Sequence, residues 1–413
     1  MLILVIFELK KMKAIVKILI VTLGMVSCHN PVKKEQGKIR TFDLKELPKI
    51  SEVRLSDLGF EDIKYIPLET NEKCTLGRFS LRGIADRFIV GNDFYIVKQF
   101  NTIIKFRKDG SFVNKIGTPG RGPAEFRVAH DIDIDKEGEK LYLADGAQKK
   151  FNIYSLNGDY IKSFKIPFHI FAAVQVRIID DKILCYIDNG QADVNDSFVV
   201  IDSSGNILRT FPNKYPFTPI RKVGIGIGKE ILFYHFDNKL FKKEVYSDTV
   251  FVFDKMVFKP HLVIDVGDRL LTPDARAGSD LFYLAENFIR PIHLFEFGDY
   301  VYYEYTYKVV PKTDNTSYGF IGSKTTDFRT FINAEKGLIN DLDGGPNILL
   351  ETIKDENTII TWIDALTLKT YVASQEFRNS KPKYPKKKIE LERLASNLKE
   401  TDNPVLVLIK LGK

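Results

Sequence analysis

Three segments of the chain repeat one another at a period near 48 residues, and that period decides the architecture. KFRKDGSFVNKI (105–116), IYSLNGDYIKSF (153–164) and VIDSSGNILRTF (200–211) align without gaps, with turn glycines Gly110, Gly158 and Gly205 spaced 48 and 47 apart. Each reads as apolar residues, a two-residue turn ending in Gly, then apolar residues alternating with polar ones, which is a β-hairpin. Two further short strands precede each hairpin: FIVG (88–91) and FYIVK (94–98), DIDID (131–135) and LYLAD (141–145), VQVRII (174–179) and KILCYI (182–187). Four antiparallel strands at this period are the signature of a propeller blade. Leucine-rich and helical repeats are excluded, because the glycine turns break every candidate helix in this stretch.

The later chain repeats more loosely. Strand-like runs continue at EILFYHF (230–236), TVFVFD (249–254), HLVIDV (261–266), HLFEF (293–297), YVYYEYTYKVV (300–310), TIITWIDA (358–365) and TLKTYVA (367–373). Dividing residues 51–413 into blades of 48 to 61 residues gives six to seven, and the looser spacing favours six. Helix is expected only near 387–398, where Ile389, Leu394 and Leu398 share a face. The run DIKYIPL (62–68) has no local partner. It is expected to join the last blade, near residues 336–380, so that one blade holds both chain ends and no sheet edge stays open. The predicted fold is all-β: a six-bladed β-propeller of four-stranded antiparallel blades. The 31 Phe and 18 Tyr are then the packing between blades.

The N-terminus reads as an address. KKMKAIVKILIVTLGMVSC (10–28) has a basic start, a short apolar run and small residues before Cys28, the order of a secretory signal. The apolar run is shorter than the roughly 20 residues a membrane-spanning helix needs. Residues 1–27 are read as the signal, with Met12 as the natural start. Cys28 follows Met25-Val26-Ser27 as in a bacterial lipobox, with Met25 where Leu is usual, so Cys28 is expected to be acylated. Residues 28–50, polar and rich in Lys and Glu, form the tether, and 51–413 the propeller.

Removing the signal changes what the charge implies. It carries four Lys and one Glu, so its loss takes the net charge from +7 to +4. Much of the remaining excess is the run KPKYPKKK (381–388), a solvated, Pro-broken surface segment. No aromatic-interleaved basic stripe or recognition helix accompanies it, and nucleic acid is not an expected partner. Cys74 and Cys185 remain as the other cysteines, expected as buried free thiols.

Several strings carry a family resemblance: YIPLET (65–70), KFRKDG (105–110), IGTPGRGPAEF (116–126), IDKEGEKLYLAD (134–145), YSDTVFVFD (246–254) and DNPVLVLIKL (402–411). In this order they resemble the six-bladed β-propeller lipoproteins of Bacteroidetes, related in form to NHL-repeat propellers. Ala124 departs from the family's usual Gly-x-Gly-Pro-Gly-Glu loop. The resemblance implies the fold and a cell-envelope, outer-membrane location, periplasmic or surface-facing. It transfers no ligand.

Some strings imitate catalytic motifs. GTPGRG (117–122) lacks dinucleotide spacing and a following helix, and GIGIGK (224–229) lacks the phosphate-loop spacing. DIDIDKEG (131–138) has Lys136 and Tyr142 where a calcium loop needs Gly and Glu, and reads as a strand entering a turn. The six histidines show no ligand spacing, so no metal, cofactor or catalytic set is assigned.

Strand parity places any site. Connections alternate between the two ends of the ring, so the loop between second and third strands shares an end with the blade-to-blade crossover. That end carries the candidate ligand-face residues Arg121, Glu125, His130, Asp145, Lys149 and Asn189, together with Gln99, Asn101, Gln148, Gln191, Asp193 and Asn195. Loops on a rigid ring vary freely, which suits binding. The leading reading is a non-enzymatic binding module, held to the membrane by its lipid alone, whose partner is a glycan, peptide or envelope protein. The alternatives are a metal-dependent hydrolase or lactonase-like enzyme on the same ring, and a structural subunit of an envelope complex.

Overall fold

A strand that is apolar on both faces has to be covered on both, and the second strands of the blades are of that kind. The computed structural model describes residues 39–412 apart from 84, 168–173, 191, 221–226 and 309–316. In it, Phe94–Gln99 sends Tyr95 and Val97 into one apolar cluster and Ile96 into the next. Lys182–Ile187 likewise divides Ile183 and Cys185 from Leu184 and Tyr186. The period-2 alternation of each strand thus feeds two inter-blade cores.

Repeated around the chain, this arrangement gives the six-bladed β-propeller that the repeat predicts. The innermost strands, in chain order, are Arg87–Val90, Asp131–Ile134, Val174–Ile179, Ile231–Phe236, Arg290–Phe297 and Thr352–Asp355; blades 1 to 6 are numbered by them. Blade 6 closes the ring. The C-terminal strand Val405–Leu411 lies between Thr358–Ile363 and the N-terminal strand Phe60–Pro67, which is outermost. Segments from the N-terminal and C-terminal parts of the chain therefore share one blade, as expected.

The hairpin turns hold three residues rather than two. Arg107 accepts from Gly110 N–H at 2.9 Å, and its own N–H donates to Ser111 O at 2.8 Å. Only the glycine turns left-handed: φ is +89° at Gly110, +99° at Gly158 and +90° at Gly205. This is the three-residue hairpin loop with a glycine bulge, which the Asp-Gly and Asn-Gly pairs disguised as a two-residue turn. Gly110 is doubly required, since a Cβ there would lie 2.1 Å from Pro67 O of the closing strand.

Helix is more widespread than expected. Pro385–Asn397 matches the predicted helix, but TLKTYVA is no strand: Ala365–Val372 is helical, burying Ala365 and Leu368. Three residues apart, they follow the helical period, which the β-branched composition obscured. These helices and Gln375–Asn379 form an insertion between the second and third strands of blade 6. Two more helices, Pro273–Gly278 and Leu281–Asn287, lie in the crossover from blade 4 to blade 5. Their caps were readable: the Thr272 side chain accepts from Ala275 N–H, and Asp280 from Tyr283 N–H. The basic run is partly occupied, with Lys387 Nζ on Ile63 O at 2.8 Å and Lys388 Nζ on Ser380 O at 2.8 Å.

Thr41–Lys413 forms one compact unit, and only residues 39 and 40 of the preceding unit, Met1–Arg40, are described. The expected signal (1–27), Cys28 and the first part of the tether lie outside the described residues. The rest of the expected tether lies on the ring: Arg40–Asp43 is a fifth strand of blade 4, and Phe42 packs on Phe320 with ring centroids 5.3 Å apart. Cys74 and Cys185 are buried and free, and burial pushes the Cys185 thiol up. Among the described residues no helix is long and apolar enough to cross a membrane.

Ile409 is fully buried and stands between Ile63 and Ile359 at the closure. Ile409→Ala is expected to cost about 2–5 kcal/mol. Ile389→Ala, at a position 50% exposed, is expected to cost under about 0.5 kcal/mol. Urea unfolding of the full chain measures both.

Candidate functional site

Each innermost strand pairs on one side only, so its other edge faces the ring axis with unpaired backbone groups. Blade 2 covers part of that edge for blade 3. Asp131 Oδ2 accepts from Val176 N–H at 3.0 Å, and Asp133 Oδ2 from Ile178 N–H at 2.8 Å. The DIDID string is thus an innermost strand, as read, and its next carboxylate closes the turn: Asp135 Oδ1 accepts from Glu139 and Lys140 N–H.

All six innermost strands line one axial cavity of about 880 Å³. Its wall is polar where the strands begin, at the crossover end. Asp131 is shared by two guanidiniums, Arg177 Nη1 at 2.8 Å and Arg87 Nε at 3.5 Å. Burial pulls against ionisation of Asp131, but Arg87, Arg177 and the Val176 N–H outweigh it and hold the carboxyl below its usual value. Burial first, and Arg87 second, bring the Arg177 guanidinium down to about 10. Two lysines join them. Lys98 donates to Ala85 O, and burial lowers its pKa. Lys229 donates to Leu81 O and, at 3.0 Å, to Ile292 O; burial brings it down to about 8.

Beside Lys229 the sign reverses, with Glu351 and Glu304 the charges that act on it most. Glu304, fully buried, is paired with Arg82 and accepts from Tyr302 OH at 3.0 Å and Ser317 Oγ at 2.9 Å. His293 stands 3.3 Å from Glu304 and 3.7 Å from Glu351, with no well-aligned hydrogen bond to either. Burial pushes Glu351 up, and its Oε2 has no hydrogen-bond partner. A third cluster anchors the blade 4–5 crossover. Arg276, 1% exposed, reaches Glu230 at 2.6 Å and Tyr246 OH at 2.6 Å. Glu230 also accepts from Tyr186 OH and the Asn189 N–H. Asp188 lines the cavity beside them. Among the described residues no group of three His, Cys, Asp or Glu side chains is arranged to hold a metal ion.

The sequence-predicted face residues divide by what they touch. His130 lines the cavity with Asn101. Its Nδ1 accepts from Gly146 N–H at 3.1 Å, and burial lowers its pKa, leaving the neutral ring to present Nε2–H as a donor. Asp145 is fully buried and ties loop to crossover, accepting from Arg127 N–H at 2.6 Å and Gln148 N–H at 3.0 Å. Glu125 closes its own turn on Gly122 N–H at 2.7 Å, and Asn189 Oδ1 accepts from Val194 N–H at 3.3 Å. Gln99 holds Gly77 N–H at 2.7 Å. Arg121, Lys149, Asp193 and Asn195 are exposed, and Gln191 lies outside the described residues. Sequence reasoning missed Arg87, Lys98, Arg177, Lys229, His293 and Glu351. The available signal was a charge inside or against an apolar strand, as Arg177 in VQVRII or His293 in IHLFEF.

The fold and cavity define a six-bladed propeller with a charged axial pocket. Residues 39–410 match the family described as "Domain of unknown function (DUF4934)", and the chain belongs to that family. No curated protein matches it. Among solved structures, a Bacteroides fragilis protein described as exported is similar, with TM-score 0.65 and 17% identity, over 91% of this chain and all of that one. A DUF4221-family protein from Bacteroides vulgatus gives TM-score 0.47 and 12% identity over 85% of this chain and 96% of that one. Virginiamycin B lyase from Staphylococcus aureus gives 0.40 and 11% over 85% and 99%. At these identities the likeness concerns the fold.

Folding raises the Asp188 carboxyl from 3.8 to about 6, through burial first and the Glu230 charge second. A carboxyl raised in this way favours the fold below pH 3.8, and that contribution is lost as the pH rises through about 6. Asp188→Asn, which keeps an acceptor for the Gly190 N–H, is therefore expected to stabilise the protein at pH 7.5 by about 2 kcal/mol. The gain should vanish at the acid end of a series of urea titrations.

Proposed function

We propose that the protein is a binding module of the cell envelope, anchored through an acylated Cys28, that takes a glycan, peptide or envelope protein at the crossover end of its ring. One observation carries the reading: the axial cavity, about 880 Å³, has the size of small-ligand sites, which run roughly 300–1,000 Å³. Its rim supports the same reading. Phe100 lines the cavity, is 69% exposed, and has φ +49°. A bulky residue held left-handed costs on the order of 1–3 kcal/mol. The two-residue turn between Gln99 and Thr102 requires that backbone conformation, and it leaves the aromatic ring exposed at the cavity mouth, where a ligand can meet it. The signal pattern before Cys28 and the exported Bacteroides fragilis neighbour support the location.

The test uses the full chain in detergent, with thermal shift against glycans and peptides as the readout. Phe100→Gly relieves the strained backbone, so it is expected to keep or raise Tm while weakening ligand binding. Arg121→Glu and Lys149→Glu, both exposed, are expected to weaken binding of a large partner without changing Tm. Unchanged binding in all three variants would count against this face. For the anchor, Cys28→Ser is expected to move the protein from the membrane fraction to the soluble one.

A further inference from the structure

The two guanidiniums that line the cavity beside Asp131 leave most of their N–H groups unused. Asp131 is the carboxylate nearest to Arg87 and Arg177, and its oxygens already accept from the N–H groups of Ile132 and Val176 and from Arg177. Among the described residues the Arg87 guanidinium donates no hydrogen bond; its Nε is buried without a partner and only approaches Asp131, at 3.5 Å. Arg177, 3% exposed, uses Nη1 alone, on Asp131 and Val176 O. Lys98 and Lys229 turn to backbone carbonyls rather than to carboxylates. Burial lowers the pKa of Lys98, Arg177 and Lys229, and Arg87 adds to this in all three, while Asp131 and Asp86 oppose it at Lys98 and Glu351 and Glu304 at Lys229.

We infer that the crossover end of the channel binds a carboxylate-bearing small ligand, its carboxylate received by Arg87 and Arg177. The inference rests on the binding-module reading and specifies its ligand chemistry. A guanidinium fork with unused N–H groups in a partly dry cavity is the arrangement that receives a planar oxyanion. A monoanion suits the site better than a dianion, because Asp86, Asp131, Asp133 and Glu351 line the same cavity and repel added negative charge. Acceptors also remain for the rest of the ligand. Asp86 Oδ1 and Glu351 Oε2 are buried without partners, so the ligand carries hydroxyl or amine donors beside its carboxylate. Acid sugars and peptide C-termini share that chemistry.

Isothermal titration of the full chain with sodium D-glucuronate, glycylglycine, D-glucose and inorganic phosphate tests it, with glucuronate and glycylglycine separating the two sources. At least one carboxylate should bind more tightly than glucose or phosphate, and added salt should weaken it. Arg87→Gln should weaken that binding about tenfold; it should also lower Tm, because the buried Asp131 loses one of its two cations. Lys98→Met, which keeps the aliphatic stem, is the second variant and should weaken it in the same direction. Absence of carboxylate binding, tighter binding of phosphate, or wild-type affinity in both variants overturns the inference. A neutral glycan that binds wild type and Arg87→Gln equally, and is lost in Phe100→Gly, removes this inference while the binding-module reading stands.

Discussion

Everything in the structure depends on sheets that must be covered on both faces. A blade whose strands bury alternate residues left and right has no exposed face, and one missing neighbour would uncover a whole apolar cluster. The only arrangement that supplies two neighbours to every blade is a closed ring. Closure falls to blade 6, where Val405–Leu411 is zipped on one side to Phe60–Pro67 and on the other to Thr358–Ile363. Its residues feed the cores on either side: Leu406 joins the cluster shared with blade 1, and Val407 and Ile409 the cluster shared with blades 4 and 5. A contact between residues more than three hundred positions apart thus holds local hairpins in one cooperative body.

Closure creates the channel as its by-product, and with it a problem that the side chains solve. Six strand edges face the axis, and their N–H groups need acceptors. Asp131 and Asp133 supply them across the blade 2–3 boundary, and burying these carboxylates calls for nearby cations. Arg177 answers Asp131 directly and stacks on Phe233, its guanidinium 4.6 Å from the ring centroid. The polar character of the channel therefore begins as edge satisfaction.

The fold was legible in the sequence because its determinants are local. Gly110, Gly158 and Gly205 mark turns by backbone conformation alone, and strand alternation needs no knowledge of distant partners. Even the ring closure was readable, from a strand with no local partner at 62–68. The site was less legible, for a physical reason. Asp145 looks like an exposed loop carboxylate and is instead the staple between a loop and a crossover, bonded to two backbone N–H groups. Short polar loop residues are often consumed by the turns they sit in. Residues that reach the axis do so through ring closure, and Arg82 meets Glu304 across 222 positions.

Where charge is stored in this ring bears on how a ligand could be recognised. Surface arginines and lysines are solvated and mobile, so engaging them means losing water and rotamer freedom with little net gain. Arg177 is fixed by Asp131, Val176 O and the Phe233 ring before any ligand arrives. Its desolvation and ordering are already met by the folding of the blades. A carboxylate entering the channel meets preorganised donors in a medium of lower dielectric than water, where each bond is stronger. Stability supplied by closure thus fixes charged groups at the axis, and the proposed carboxylate site draws on that fixation.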